Sequence, residues 1–225
     1  YGFSPANDYV ITRVTISSRQ TFFRLSAKSV DLQEFLIRVV GEHNALNATA
    51  AIIVGIETGL QSQQIKSALK NFSGTKRRFE YIGQLVSGAE VYDDYAHHPT
   101  EIRSTLKACR LEHPHKKIVC VFQPHTYSRT KKLFDDFLRS FIDADVVVLT
   151  DIYASAREEK DPTISSQILA DGLSRVHKNV QYLSANDAVV GFLNRSQFNE
   201  NTIVLLMGAG DIYTIIDTLE MKKSP

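Results

Sequence analysis

The chain has 225 residues, about one and a half times a typical domain of ~150, which predicts one ordinary domain and a smaller unit. Hydrophobic residues make up 43% and charged residues 23%, so intrinsic disorder and a disulfide-dependent miniprotein are excluded. With 26 basic and 25 acidic side chains the net charge is only +1, and we expect no nucleic-acid partner.

The first third of the chain predicts three strands of a small sheet. Apolar or β-branched residues alternate from Val10 to Ile16, period-two spacing recurs at Phe23 and Leu25, and a third apolar run covers residues 32–40. In the first strand, the alternation places four side chains on one face: Val10, Thr12, Val14 and Ile16.

Two helices are predicted next. An Ala-rich segment covers residues 43–58, and Ser62 is expected to cap a second helix. That helix has an apolar stripe of Ile65, Ala68, Leu69 and Phe72. A break at Gly74, followed by a basic triplet, predicts a boundary that divides the chain into residues 1–74 and 75–225.

Beyond this boundary, short apolar strands alternate with amphipathic stretches, which predicts an α/β domain with a mainly parallel sheet. Strands are expected at residues 89–92, 118–122, 146–150, 180–183 and 203–207. Such sheets bind ligands at the carboxyl ends of their strands. Polar residues that directly follow a strand are therefore the candidate functional residues.

The first polar cluster, from Asp93 to Glu101, follows the strand at 89–92. Because Pro99 suits the first position of a helix, His98 is its expected cap, with backbone N–H groups directed at an anion. The alternative is that the aspartates only end a strand while His98 caps a helix. The density of polar residues favours a functional site.

The second polar cluster, residues 122–130, follows the next strand and is expected at the same rim of the sheet. Arg129 lies near the start of a helix, where a cation opposes the helix dipole. This position favours binding of a carboxylate or a phosphate, although an isolated arginine is more often a solvated surface residue.

Further candidate residues lie on both sides of the boundary. His43, Asn44 and Asn47 begin a predicted helix, and the two amides, three residues apart, can pair with a purine edge or serve as ordinary caps. The triplet 76–78 is either a phosphate clamp or a solvated run, and its place beside the boundary favours the clamp. The turn at 208–211 lacks the third glycine of a dinucleotide fingerprint, which favours a role in tight strand-to-helix packing over nucleotide binding. The sequence contains no P-loop.

Five segments in this order resemble the Mur ligases. They are Gly41-Glu42-His43-Asn44-x-x-Asn47-Ala48, Lys76-Arg77-Arg78-Phe79-Glu80, residues 93–101, residues 122–130 and Gly208-Ala209-Gly210-Asp211. Residues 152–158 also resemble this family. The resemblance implies the end of a central ATPase domain, built of small strands and two helices, followed by a carboxyl-terminal Rossmann-like domain.

The resemblance also implies a function. In this family ATP phosphorylates a carboxylate, and an amine then attacks the acyl phosphate and releases phosphate. The pattern is most similar to the branch whose substrates are UDP-N-acetylmuramate and L-alanine, in peptidoglycan biosynthesis. ATP and Mg²⁺ are the implied cofactors, with the metal ligands expected in a missing part. Since the P-loop is absent, the chain is predicted to be a fragment that is inactive alone.

Site residues follow from the resemblance position by position. His43, Asn44 and Asn47 are implied to contact adenine, and Arg78 and Asp94 to approach the ribose and phosphates across a hinge. The residues implied to face the amino-acid part of the substrate are Tyr95, His97, His125 and Arg129. Thr126 stands where some relatives carry Arg, so one substrate contact differs. No catalytic residue and no metal ligand is expected in this chain.

Three other functions remain open on the sequence. One is a ligase that joins a recycled murein peptide to UDP-N-acetylmuramate. A second is a metal-dependent phosphoesterase in which Asp93, Asp94, His97 and His98 hold ions. A third is a non-catalytic nucleotide-binding module.

The cellular compartment is predicted from the apolar runs and the cysteines of the sequence. No apolar run reaches the ~18 residues of a membrane span, so we expect no membrane partner, and no signal peptide is recognised. Cys109 lies in a helical pattern and Cys120 in an apolar run, which predicts two separate buried thiols. A reducing compartment, the cytoplasm, is therefore expected.

Overall fold

The computed structural model describes residues 1–27, 30–155 and 158–222. It divides into two compact units. The first contains Tyr1–Thr75 together with Lys107–His113, and the second contains Lys76–Leu106 and Pro114–Pro225. The division at Thr75 lies next to the predicted boundary at Gly74. The assignment of residues 107–113 to the first unit had no signal in the sequence.

The first unit contains a three-stranded antiparallel sheet and two helices, as predicted. The strands, in sheet order, are β1 (Tyr9–Ser17), β2 (Gln20–Ala27) and β3 (Val30–Ile37), and the helices are α1 (Glu42–Glu57) and α2 (Ser62–Asn71). Phe23, Leu25 and Ile37 from the sheet and Ala45 and Ile52 from α1 are buried together in its core. Burial of these apolar side chains stabilises the unit.

The face predicted for β1 is wrong over half of the strand. Ile11 is the fully buried residue, whereas Thr12 is exposed. The register against β2 shifts between Thr12 and Thr15, and Arg13 adopts a left-handed backbone with φ 51°. An extra residue in a strand reverses the alternation beyond it. The buried face therefore changes from odd to even positions along β1.

The cap and stripe predicted for α2 also need correction. Gln61, not Ser62, is the N-cap, and it forms a reciprocal capping box with Gln64. Ile65 is buried, but Phe72 is 46% exposed. The helix ends at Asn71, and Phe72 has an extended backbone, so its side chain leaves the helical stripe. Ile65 is thus part of the core of the first unit, and Leu69 packs against that core.

The second unit is built on a six-stranded, mainly parallel sheet, which confirms the predicted α/β class. Its strands are β4 (Glu80–Gln84), β5 (Glu90–Asp94), β6 (Lys117–Phe122), β7 (Val146–Leu149), β8 (Val180–Tyr182) and β9 (Thr202–Met207). Their order in the sheet is β4-β5-β9-β6-β7-β8, and β4 alone pairs antiparallel. The sequence predicted five of these strands and missed β4.

Helices connect the parallel strands. They are α3 (Pro99–Glu112), α4 (Tyr127–Lys132), α5 (Phe134–Leu138), α6 (Ser166–Leu173) and α7 (Asn186–Arg195), and a 3₁₀ helix (Ile212–Thr218) follows β9. Among the described residues, no helix has both the length and the apolar character needed to cross a membrane. Cys109 in α3 and Cys120 in β6 are both buried, as predicted.

The position of β9 determines where the functional segments meet. All six residues of this strand are buried, and it lies between β5 and β6. In the paired registers, Met207 is opposite both Asp94 and Phe122, the last residues of their strands. The segments that follow β5, β6 and β9 therefore begin side by side at one edge of the sheet.

Candidate functional site

The carboxyl edge of the sheet brings the two predicted polar clusters together. The N–H of Gly208 donates to the carbonyl of Asp94 at 3.0 Å, and the N–H of Gln123 donates to the carbonyl of Met207 at 2.9 Å. Beyond these bonds, the imidazoles of His97 and His125 lie 6.0 Å apart between ring centroids. The expectation of a shared rim is confirmed.

Aromatic rings line this rim. The ring of Tyr95 meets His97 edge to face at 5.4 Å, and His125 stacks on Tyr153 at 5.6 Å with an 18° interplanar angle. His97 Nδ1 also lies 3.0 Å from the carbonyl oxygen of Tyr95. The rings are thus placed by neighbours on both sides, and they form an apolar wall with polar edges.

Arg129 contacts the His125 residue directly. Its Nη1 lies 3.3 Å from the His125 carbonyl oxygen and 3.3 Å from Nδ1 of the same residue. Burial, then the positive charge of Arg129 and the nearby His97, lowers the pKa of His125. A neutral imidazole beside a guanidinium is the state that this arrangement favours at neutral pH.

The start of α4 already has an anion. The carboxylate of Glu158 accepts the backbone N–H groups of Tyr127 at 2.6 Å and Ser128 at 2.9 Å. Burial raises the pKa of Glu158, but the hydrogen bonds from Ser128 and Tyr127 outweigh it and lower the pKa. The carboxylate therefore stabilises the helix that carries Arg129, which offsets the unfavourable dipole interaction noted in the sequence.

Asp94 is the last residue of β5, whereas the sequence predicted that it would follow the strand. It is 3% exposed, and its two oxygens accept the N–H groups of Phe79 at 2.8 Å and Ala96 at 2.7 Å. Burial raises the pKa of Asp94 to about 6, although both N–H groups and Arg78 favour the charged form. Asp94 ties the residues after the boundary to the rim, and each oxygen retains a second lone pair.

Arg78 lies at the outer side of the same rim. Its side chain is 51% exposed, with Nη1 at 4.0 Å from a Glu101 carboxylate oxygen. The guanidinium carbon is 5.9 Å from the ring centroid of Tyr95. Contacts at these distances restrain a side chain only weakly. Arg78 is therefore an exposed cation beside Tyr95 and Glu101.

The start of α3 confirms the predicted cap. His98 Nδ1 accepts the N–H of Thr100 at 3.2 Å. The carboxylate of Glu101 accepts the N–H groups of His97 at 3.0 Å and His98 at 3.1 Å. The chain itself thus engages the N–H of Thr100 in the first turn of α3, together with the N–H groups of the two residues that precede the helix.

The three residues implied to contact adenine lie in the first unit, at the start of α1. The amide nitrogen of Asn44 donates to the Val40 carbonyl at 2.8 Å, and the Asn47 amide nitrogen is 3.5 Å from Asn44 Oδ1. Gly41, with φ 118°, precedes them, and a Cβ there would lie 2.6 Å from the ring of His43. His43, Asn44 and Asn47 are therefore grouped on the first two turns.

The glycine turn after β9 packs tightly, as its sequence predicted. A Cβ on Gly208 would lie 2.8 Å from the Gln123 carbonyl oxygen, and one on Gly210 would lie 2.3 Å from Gln123 Oε1. The Gln123 carboxamide donates to Asp211 Oδ1 at 2.7 Å and accepts the N–H of Ile212 at 3.1 Å. One buried glutamine thus fixes the whole turn.

Tyr153, Glu158 and Gln123 lie within the segments 152–158 and 122–130, but no role was predicted for any of them. Tyr153 follows β7, so the same strand-end rule that selected His125 could have selected it. Glu158 accepts the N–H groups of Tyr127 and Ser128, and Gln123 contacts Asp211 and Ile212. These partners are distant in sequence, so no local signal predicts the contacts. Ala156 and Arg157 of the segment 152–158 lie outside the described residues.

The metal-dependent alternative finds no support in the donor geometry. Asp93 Oδ2 accepts the guanidinium of Arg77 at 3.0 Å, and both oxygens of Asp94 face backbone N–H groups. Within the residues that the structure describes, no group of three or more histidine, cysteine or acidic side chains is arranged to hold a metal ion. The contacts that the structure shows for Asp93, Asp94, His97 and His98 are with groups of the chain itself.

Together, the mainly parallel sheet and the basic, aromatic rim define an α/β domain with a candidate ligand site at the carboxyl edge of its strands. The family model described as "Mur ligase, glutamate ligase domain" matches residues 77–210. The chain belongs to the Mur ligase family.

Similar proteins include two curated relatives. A UDP-N-acetylmuramate–L-alanine ligase of Desulfitobacterium hafniense (strain Y51) is 42% identical over 219 residues, 97% of this chain and 48% of that protein. The corresponding ligase of Caldanaerobacter subterraneus is 40% identical over 216 residues, 96% of this chain and 46% of that protein. The chain thus spans about half the length of these relatives.

Solved structures with a similar fold include two ligases. The UDP-N-acetylmuramate-alanine ligase of Thermotoga maritima matches with a TM-score of 0.79 at 26% identity, over 96% of this chain and 45% of that one. A murein peptide ligase of Psychrobacter arcticus matches with a TM-score of 0.66 at 22% identity, over 97% of this chain and 44% of that one, and at this identity it shows the fold alone.

Proposed function

We propose that this chain is part of an ATP-dependent ligase that joins L-alanine to UDP-N-acetylmuramate in peptidoglycan biosynthesis, in the cytoplasm. The observation that carries the proposal is the pairing of the Arg129 guanidinium with the His125 imidazole at the aromatic rim. The names of the relatives that align over nearly the whole chain support the choice of substrates.

Arg129 and His125 suit a free amino acid. A guanidinium offers several donors in one plane and binds a carboxylate through two hydrogen bonds. The imidazole of His125, with its lowered pKa, adds no second positive charge and so does not repel the amine of the same substrate. Arg129 then holds the L-alanine carboxylate and orients its amine, which contributes proximity rather than proton transfer.

Tyr95 and His97 form the other side of this proposed amino-acid site. Their rings meet edge to face, and His97 lies between Tyr95 and His125. These aromatic rings present apolar faces to a small substrate. Thr126, where some relatives carry Arg, removes one charged contact, and Arg129 then becomes the principal cation for the carboxylate.

The nucleotide is assigned to the remaining candidate residues. ATP supplies the phosphoryl group that activates the muramate carboxylate. Arg78, half exposed, can bind a phosphate, and Asp94 can accept a ribose hydroxyl through the lone pairs that its two backbone contacts leave. In the first unit, Asn44 and Asn47 offer amides, and His43 offers a ring, to adenine. We assign no ligand for Mg²⁺ to this chain.

We further propose that these 225 residues alone do not catalyse the reaction, because the sequence contains no P-loop. The test measures ADP release with ATP, magnesium, UDP-N-acetylmuramate and L-alanine. It compares the longer protein that we propose contains this chain with the 225-residue chain. We expect activity that requires both substrates in the longer protein and none in the chain alone.

Three results would contradict these proposals. Alanine-dependent ADP release by the 225 residues would refute the proposal of an inactive fragment. Activity of the longer protein with a murein peptide, and not with L-alanine, would replace the proposed substrate by the recycled peptide. An Arg129→Lys variant of the longer protein with an unchanged KM for L-alanine would refute the role of Arg129, because lysine lacks the planar fork.

A further inference from the structure

Arg77 joins three separate segments of the second unit through one guanidinium. Its Nε donates to Asp93 Oδ2 in β5 at 3.0 Å, and its Nη2 donates to the carbonyl oxygen of Gly208 after β9 at 2.7 Å. The guanidinium carbon lies 4.9 Å from the ring centroid of Tyr95 and 4.3 Å from that of Tyr213. The two rings and the two acceptors therefore meet at a single side chain.

The backbone of Arg77 is fixed as firmly as its side chain. Its N–H donates to the carboxylate of Glu80 at 2.7 Å, and its carbonyl accepts the N–H of Tyr95 at 2.8 Å. The residue adopts a left-handed backbone, with φ 57°. A residue with both its backbone groups and its guanidinium engaged is not available as a mobile phosphate clamp. The clamp predicted for the triplet 76–78 therefore fits Arg78 and not Arg77.

Asp93 requires the positive charge of Arg77. It is 2% exposed, and among the described residues its Oδ1 atom has no hydrogen-bond partner. Burial raises the pKa of Asp93, and the charge and hydrogen bond of Arg77 act against that rise. A buried carboxylate keeps its negative charge only beside such a cation. The ion pair holds the guanidinium in the position from which it faces both tyrosine rings.

Lysine could replace only part of this arrangement. An ammonium can pair with Asp93, but it lacks the planar fork that reaches Gly208 at the same time. It also lacks the flat face that packs on aromatic rings. The geometry therefore separates two functions of Arg77, which are the neutralisation of Asp93 and the placement of Tyr95.

We propose that Arg77 is a positioning residue that fixes the ring of Tyr95 at the rim by linking it to the turn after β9. The consequence for the amino-acid substrate rests on the proposed function, in which Tyr95 faces that substrate. Arg77 acts through Tyr95 and does not touch the substrate. Its loss therefore weakens binding of the amino acid more than it slows the chemical step.

The first test observes Tyr95 directly in the 225-residue chain. Tyrosine is labelled with ¹³C in the ring, and the NMR signal of Tyr95 is assigned with Tyr95→Phe. We expect Arg77→Lys to shift this signal, because the flat cation no longer faces the ring. The matched control is Arg24→Lys, which alters a two-pronged, exposed pair with Asp31 in the first unit, whereas Tyr95 lies in the second. We expect this control to leave the Tyr95 signal in place.

A second variant covers the case in which Arg77→Lys does not fold. Tyr213 is 43% exposed, and Tyr213→Leu removes one face of the stack while it leaves the ion pair with Asp93 intact. We expect a smaller shift of the Tyr95 signal in the same direction. A Tyr95 signal that neither variant moves would overturn the proposal.

The third test separates positioning from general loss of structure, and it uses the longer protein. Arg77→Lys is expected to raise the KM for L-alanine by about threefold to thirtyfold, the range of a lost cation–ring contact, with kcat within about twofold. In a Tyr95→Ala background, the same substitution should change KM by less than twofold, because the residue through which it acts is gone. Equal effects in both backgrounds would overturn the proposal.

Failure of the proposed function is distinguishable from failure of this inference. If the wild-type longer protein releases no ADP in response to L-alanine, the proposed substrate is wrong. The NMR comparison on the 225-residue chain does not depend on that result. It decides by itself whether Arg77 fixes Tyr95.

Discussion

His125 and Tyr153 are paired by both backbone and side chain. They form an isolated parallel bridge, in which the N–H of Tyr153 donates to the Pro124 carbonyl at 2.8 Å and the N–H of Thr126 donates to the Tyr153 carbonyl at 3.0 Å. Their rings stack at 5.6 Å. The segments after β6 and β7 are thereby joined, and the imidazole beside Arg129 takes its orientation from a tyrosine on the next strand connection.

Removal of the Tyr153 ring should destabilise the second unit and change the titration of His125. We expect Tyr153→Leu to lower the free energy of unfolding by ~1 kcal/mol, the value of an aromatic pair. Because burial lowers the pKa of His125, a more open environment should raise that pKa towards its usual value. Urea unfolding and an NMR titration of the His125 ring measure the two effects. Tyr153→Phe, which keeps the ring, should show neither of them.

Asp94 should make the folded state less stable as the pH rises. Its pKa is raised from 3.8 to about 6 in the folded protein, so its protonated form favours folding. That contribution is complete below pH 3.8 and is lost as the pH rises to about 6 and above. At about 1.4 kcal/mol per pKa unit, the loss is on the order of 2–3 kcal/mol.

The measurement for Asp94 is the free energy of unfolding at several pH values between 4 and 7, in the wild type and in Asp94→Asn. The asparagine does not titrate, so the difference between the two proteins isolates Asp94 from His125 and from the acidic groups. The wild type should lose stability relative to the variant as the pH rises. A difference in the free energy of unfolding that is constant over this range would show that burial does not raise the pKa of the Asp94 carboxyl.

Much of the architecture could be predicted because its signals are local. β9 consists of Thr202 followed by five apolar residues in succession, and its position between polar segments identifies it as a buried strand. By contrast, β4 has the sequence Glu80-Tyr81-Ile82-Gly83-Gln84, which is half polar and contains a glycine, and it exists because it pairs with β5. An edge strand of this kind depends on its neighbour more than on its own pattern.

The site was predicted as segments, and its contacts were not. The strand-end rule placed His97 and His125 at one rim, because both follow strands of a parallel sheet. It could not show that Arg77 pairs with Asp93 and with the Gly208 carbonyl, because these contacts depend on a left-handed turn and on the insertion of β9 beside β5. Contacts between distant segments arise from the topology, for which a single sequence contains no pairing signal.

Thr126 should be a site where substitution stabilises the protein. It is a β-branched residue with φ 70° and ψ 139°, a conformation that side chains with a Cβ avoid. Such strain costs ~1–3 kcal/mol, while glycine adds ~0.5–1 kcal/mol of chain entropy to the unfolded state. We therefore expect Thr126→Gly to raise the free energy of unfolding by ~1 kcal/mol. Thr126→Ala keeps the Cβ and should give no gain, and equal effects of the two substitutions would argue against backbone strain.

Gly210 should tolerate no side chain, because Gln123 and Tyr153 occupy the space beside it. A Cβ there would lie 2.3 Å from Gln123 Oε1 and 2.6 Å from Tyr153 Cγ, closer than real contacts allow. We expect Gly210→Ala to lower the free energy of unfolding by ~1–3 kcal/mol, as in other overpacked sites, and to disturb the His125 ring that stacks on Tyr153. Urea unfolding and the His125 NMR signal measure both effects.

The control for Gly210 is Gly191→Ala in α7. A Cβ at Gly191 would meet the end of the Arg195 side chain at 2.8 Å, and that flexible group can move aside. Alanine also favours a helix by ~1 kcal/mol over glycine, so this variant should be neutral or more stable. If Gly210→Ala were as stable as Gly191→Ala, the turn after β9 would have room to move. Gln123 would then not be the residue that fixes the turn beside the rim.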